Sequence, residues 1–104
     1  MPLNRLKTKT TIECLWPYIL SLMKDTPVYA YEIRSKIKER YSFEIGNVTA
    51  YMILYKLETG GYVRTEWLVK ENRQRKYYKI TDKGKELLKE GTKYLNNLSK
   101  TLSK

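Results

Sequence analysis

The sequence predicts a mainly α-helical chain with one small β-hairpin, an α+β fold of the winged helix-turn-helix type with an added C-terminal dimerisation helix. Three observations predict it. A helix over about 47–60 has one apolar face and is bounded by Gly46-Asn47 and Gly60-Gly61. Straight after those glycines the hydrophobic period changes from 3.6 to 2, over two runs separated by a polar turn. Finally, a leucine stripe from Leu87 to Leu102 is longer than the core of a 104-residue domain can cover.

Taken in order, residues 1–13 form a basic N-terminal arm or helix start, with Arg5, Lys7 and Lys9 and few large apolar groups. The DNA-binding domain is expected over 14–81. It opens with a helix near Leu15 or Trp16, since Pro17 fits a first turn. There Leu15, Ile19, Leu22 and Met23 can face the core, leaving Trp16, Tyr18 and Leu20 on a second side that suits a dimer contact. Asp25-Thr26-Pro27 is a turn. The next helix, Tyr29 to Tyr41, places Ala30, Ile33, Ile37 and Tyr41 on one face and precedes the 47–60 helix through a short link.

In that 47–60 helix Ala50, Ile53, Leu54 and Leu57 make the inner face. The outer face reads as Thr49, Met52, Lys56 and Thr59 with Tyr51 and Tyr55 at its edge, and it holds no acid. Residues 62–80 then form a hairpin: Tyr62 to Val69, a turn at Glu71-Asn72-Arg73-Gln74, and a return strand from Arg75 to Ile80. Its tip and return strand carry Lys70, Arg73, Arg75, Lys76 and Lys79 against Glu71 alone. Thr81-Asp82 caps the last helix, 82–104, whose stripe contains Leu87, Leu88, Tyr94, Leu95, Leu98 and Leu102. Gly84 and Gly91 weaken this helix in isolation and argue for support by a partner.

Charge narrows the partner. Twenty-one Lys+Arg against 11 Asp+Glu give a net charge of +10, which points to a polyanion, nucleic acid before membrane surface. With no histidine, the usual catalytic triads and His metal sites are excluded. The acids are interspersed with bases and no glycine loop cradles phosphate, so no catalytic residue, metal or cofactor is assigned. The single cysteine, Cys14, reads as a small buried hydrophobe. The longest apolar run, Leu15 to Met23, is too short to span a bilayer, no signal-peptide pattern is visible, and a reducing cytoplasm is expected.

A winged helix divides its labour on double-stranded DNA: cations and hydroxyls on phosphate set affinity, and base-edge contacts set sequence. The phosphate candidates are Arg34 or Lys36, Tyr51, Tyr55, Lys56, Arg73, Arg75 and Lys76. The base-edge candidates are Asn47, Thr49 and Met52, near the N-terminal end of the helix. None is an arginine poised for guanine, so modest direct readout and a share for DNA shape are expected. The dimer candidates are Trp16, Leu20, Leu87, Leu88, Tyr94, Leu95, Leu98 and Leu102, and Trp16 with Tyr94 could meet a small-molecule effector between subunits. Two other functions fit the same pattern: an architectural DNA-coating protein, or a winged helix used for protein contacts.

The chain resembles the PadR family of transcriptional regulators. The residues that carry the resemblance are Tyr31-Glu32-Ile33, Thr49-Ala50-Tyr51 with Leu54, Lys56-Leu57-Glu58 and Gly61-Tyr62-Val63. Most specific is Arg75-Lys76-Tyr77-Tyr78-Lys79-Ile80-Thr81-Asp82-Lys83-Gly84, near the family's R-K-Y-Y-x-L-T-x-x-G. The resemblance implies a dimer that represses transcription at a palindromic operator, its C-terminal helix swapped against the first helix of its mate. Short members with a single such helix are the closer match. Two departures bear on readout and ligand: Val48-Thr49-Ala50-Tyr51-Met52 replaces the family's frequent Gly-Thr-Leu-Tyr-Pro, and the last helix has Tyr94 where multidrug-sensing members carry tryptophan.

Overall fold

A computed structural model describes residues 1–104. The order of elements is α1 (Pro2–Thr10), α2 (Trp16–Leu22), β1 (Val28–Tyr29), α3 (Ala30–Tyr41), α4 (Asn47–Thr59), β2 (Val63–Lys70), β3 (Arg73–Ile80) and α5 (Asp82–Leu102). The expected helices, hairpin and long last helix are all present. Two elements go beyond the sequence reading. The basic N-terminal stretch is a full helix with proline in its first turn and no buried residue. The short β1 pairs antiparallel with β3 (Val28 with Tyr78, Tyr29 with Tyr77), so the hairpin is part of a three-stranded sheet ordered β1-β3-β2.

The register runs from Val63 opposite Ile80 to Lys70 opposite Arg73. That leaves a two-residue turn, Glu71-Asn72, shorter than the four residues expected, with φ of 53° and 62°. Positive φ at both central positions is the type I′ geometry that matches the twist of hairpin strands. Residues directly opposite share a face, so Val63, Thr65, Trp67 and Val69 align with Ile80, Tyr78, Lys76 and Gln74. Near the body this face packs on the core through Val63 and Ile80; towards the tip Trp67 and Val69 are exposed.

The core joins Leu15, Ile19, Leu20, Leu22 and Met23 to Ile33 and Ile37 of α3, to Ala50, Leu54 and Leu57 of α4, and to Leu88 of α5. Leu20, expected on an outer dimer side, has no exposed surface, because α2 is enclosed by α3, α4 and α5. Leu88 likewise faces the core of its own chain, and Leu87 packs against it. Leu20 therefore has no surface to offer a mate, and Leu88 has little. Cys14, expected to be buried, is partly exposed in the link before α2.

The junction between α4 and α5 sets the geometry of the molecule. Tyr62 N–H donates to Leu57 C=O (2.9 Å) and Gly61 N–H to Glu58 C=O (3.0 Å), the Schellman pair that stops α4, with Gly61 at φ +81°. Thr81 caps α5 by accepting from Gly84 N–H (3.1 Å), donates its hydroxyl to Gly61 C=O (2.7 Å), and Lys83 donates to Gly60 C=O (2.7 Å). A side chain at Gly84 would be driven into the Tyr62 carbonyl, and one at Gly91 would meet the Trp16 indole at 2.7 Å. The glycines of α5 therefore serve close packing within the chain, a role that helix propensity alone does not reveal. Beyond Gly91 every residue of α5 is exposed.

Candidate nucleic-acid interface

The outward side of α4 is the centre of the surface. Val48, Tyr51, Met52 and Tyr55 lie three and four residues apart, so they form one stripe. With Lys56 they line a shallow hollow of about 380 Å³ that no carboxylate enters. Thr49 is exposed beside them. The sequence centred this face on Thr49, Met52, Lys56 and Thr59 with Tyr51 and Tyr55 at its edge; the stripe instead runs through the two tyrosines and takes in Val48, which makes it more apolar. Val48 was missed, although its spacing to Tyr51, Met52 and Tyr55 was available.

On one flank, α3 and the start of α4 enclose a polar cleft of about 280 Å³ lined by Tyr31, Arg34, Ser35, Lys38, Glu44 and Asn47. Asn47, a base-edge candidate, therefore stands beside Arg34 rather than in the α4 stripe. It is the first residue of the helix, after an N-cap at Gly46. Arg34 and Lys36 are two residues apart and project from nearly opposite sides of α3. Arg34 opens into the cleft, while Lys36 lies 3.9 Å from Glu32, whose carboxylate also accepts from Tyr29 N–H at the helix start (3.0 Å). The cleft makes Arg34 the better placed of the two. Glu44 pairs with Lys38 at 3.2 Å on the exposed rim.

The hairpin adds further cations, and its Arg75 adjoins the α3 cleft through Tyr29 and Tyr31. Strand alternation sends Arg73 and Arg75 to one face and Lys76 to the other, so these three candidates do not share one surface. Arg75 is held: its guanidinium lies 4.6 Å from the Tyr29 ring centre, and Tyr29 is stacked on Tyr31 (6.4 Å, 4°) and edge-on to Tyr77 (5.5 Å). Lys70 sits over Tyr77 at 5.8 Å and Lys76 over Tyr78 at 5.6 Å. Lys70 faces Arg73 across the strands and Arg64 faces Lys79, two like-charged pairs that cost stability in an isolated hairpin.

Trp16 and Tyr94 do not meet within the chain. The Trp16 indole rests on Gly91 and lines a groove of about 420 Å³ with Ile53, Lys56, Leu57, Tyr62 and Leu87, while Tyr94 is exposed further along α5. No group of His, Cys, Asp and Glu could hold a metal ion, and no helix is long and apolar enough to cross a membrane.

Comparison with known proteins agrees with this geometry. The model of the transcriptional regulator PadR-like family matches residues 19–90. A protein of known structure from Streptococcus mutans UA159 is 36% identical, with 86% of this chain and 83% of that chain covered at a TM-score of 0.73. A PadR-like transcription factor from Bacteroides fragilis is 29% identical over 95% and 96% of the two chains, at a TM-score of 0.77. Bacillus subtilis PadR, solved in complex with operator DNA, is 26% identical; the match covers 75% of this chain and 47% of that longer one, at a TM-score of 0.66. No curated protein matches the sequence. With a recognition-type helix, a basic hairpin and a family match that covers most of its length, this chain belongs to the PadR-like family of transcriptional regulators.

Proposed function

We propose that the chain is a sequence-specific repressor that binds a palindromic DNA site as a homodimer, with α4 in the major groove and the wing on the backbone. The observation that carries this reading is the exposed face of α4: free of carboxylates, edged by Lys56, with Arg34 in the adjoining cleft and Arg75 beside that cleft through Tyr29 and Tyr31. An apolar strip bordered by cations matches base edges bordered by phosphate. The operator complex of Bacillus subtilis PadR supports the same use of the fold. For the dimer, the support is the exposed Tyr94, Leu95, Leu98 and Leu102 of α5 and Leu3 and Leu6 of α1, two apolar faces suited to a swapped pairing between copies. Trp16 of α2 and Leu87 of α5, both part-buried, would border that pairing, and an effector would touch Trp16 and Tyr94 together only there. We assign no enzymatic activity and no cofactor.

An architectural, low-specificity role is the second reading, favoured by the lack of any arginine on α4. A fluorescence-anisotropy titration at about 0.15 M salt separates the two, comparing the chain's own upstream promoter with scrambled DNA. A preference on the order of a thousandfold is expected of a specific regulator. Equal binding supports the architectural role, and no binding to either supports a protein-contact role. In the same assay Lys56→Ala or Arg75→Ala should weaken all DNA about equally and lower the salt slope by about one each.

A further inference from the structure

The regulator reading leaves open what α4 reads in the groove. Its outward stripe offers unusually little hydrogen bonding for a recognition surface. Val48 is 73% exposed, Met52 53% and Tyr55 69%, and neither Val48 nor Met52 has a donor. Lys56 and the tyrosine hydroxyls stand at the ends of long side chains, better suited to reaching the rim. Exposed Val and Met of this kind, adjacent and solvent-facing, lose free energy to water unless something apolar covers them.

In the major groove the C5-methyl of thymine is the one projecting apolar group, set among hydrogen-bond donors and acceptors. A cytosine amine or guanine carbonyl set against Val48 or Met52 would lose its water without a replacement partner. The occupant is identified by the frame as well as the stripe. No carboxylate lines the hollow, Lys56 stands at its edge, and Arg34 and Arg75, linked through the stacked Tyr31 and Tyr29, carry charge suited to phosphate beside it. A duplex supplies both, with methyls in the groove and anions along its edges.

We propose that α4 reads its operator chiefly through thymine methyl groups, with Val48 and Met52 as the specificity-determining residues. This rests on the reading of α4 as the recognition helix. It implies a site with thymines at the contacted steps of each half, and it gives specificity to a helix that has no arginine for guanine.

The test compares two versions of the chain's upstream promoter duplex in the anisotropy assay, one natural and one with every thymidine replaced by deoxyuridine. Removing one contacted methyl should weaken binding about fourfold, so a symmetric site contacted once in each half should lose on the order of tenfold or more. The Val48→Ala, Met52→Ala double variant should bind natural promoter more weakly and bring the thymidine-to-deoxyuridine ratio close to one, with the salt slope unchanged. Both side chains are exposed, so the variant should keep its fold, checked by circular dichroism. Equal affinity of the native chain for the two duplexes overturns the inference. So does a ratio that persists in the double variant, because the methyls would then act through DNA shape. A native chain that does not prefer natural promoter over scrambled DNA overturns the regulator reading itself, and the inference with it.

Discussion

The body of the molecule and its two projecting helices are built on opposite terms. Every buried residue lies between Leu15 and Leu88; α1 and the part of α5 beyond Gly91 have none. In the body, helix ends, turn and glycines are satisfied by contacts within the chain: the Schellman stop of α4, the Thr81 cap, Gly84 against Tyr62 and Gly91 against Trp16. In the projections, apolar side chains at helical spacing face solvent, and helices of this kind are marginal without a surface to pack on. The body is thus complete as a folding unit, whereas the projections present surface for something else.

The largest test breaks the body. Gly84→Ala pushes a methyl into the Tyr62 carbonyl at the α4–α5 junction and should cost about 3 kcal/mol, read as a large drop in denaturant midpoint. A shift of only a few tenths would mean that α5 docks elsewhere. Next in size, ending the chain after Lys93 removes Tyr94, Leu95, Leu98 and Leu102 but no buried residue. It should yield a monomer by light scattering that still melts cooperatively. A truncated chain that stays dimeric would locate the interface on the body, and one that fails to melt cooperatively would dissolve the distinction between the two regions.

The smallest test concerns how α1 is tied down. The Tyr18 hydroxyl donates to Thr10 C=O, and the ring packs edge-on against Tyr41 and Phe43, 5.0 Å from each. Burial raises the Tyr18 pKa above its usual 10.0, with Cys14 and Tyr41 adding to the shift. The group keeps its proton more tightly when folded, so its contribution is fully present below pH 10 and is lost as pH rises through the folded value. Tyr18→Phe should therefore cost about 1 kcal/mol near neutrality. The variant should also lose less stability than the native chain between neutral and strongly alkaline pH, measured by thermal melts. Identical alkaline limbs would show that Tyr18 ionises as freely folded as unfolded.

The elements with strong local signals were legible in the sequence. Helix α4 is bracketed by glycines, the hairpin by a change of period, and α5 by Thr81 and its leucine stripe, and each is governed by residues a few positions apart. What was missed depended on distant parts of the chain. Strand β1 is two residues long and exists because Val28 and Tyr29 meet Tyr78 and Tyr77, a pairing no local pattern announces. Leu20 was assigned outward because periodicity cannot say that three helices enclose α2. The glycines of α5 were read through helix propensity, while their neighbours, Tyr62 and Trp16, lie far away in sequence. At the candidate interface, the presence of α4 and the basic wing was legible. The division of its cations was not: alternation separates Arg75 from Lys76, and helix rotation separates Arg34 from Lys36.

The clamp between Gly60-Gly61 and Thr81-Lys83 has a mechanical consequence. It makes α5 a lever arm whose fulcrum is the end of α4. A 21-residue helix is roughly 32 Å long, so a turn of about 5° at the clamp displaces its far end by roughly 3 Å. Conversely, in the proposed dimer a mate that gripped the far end would bias the pitch of α4 and the spacing of the two recognition helices along a duplex.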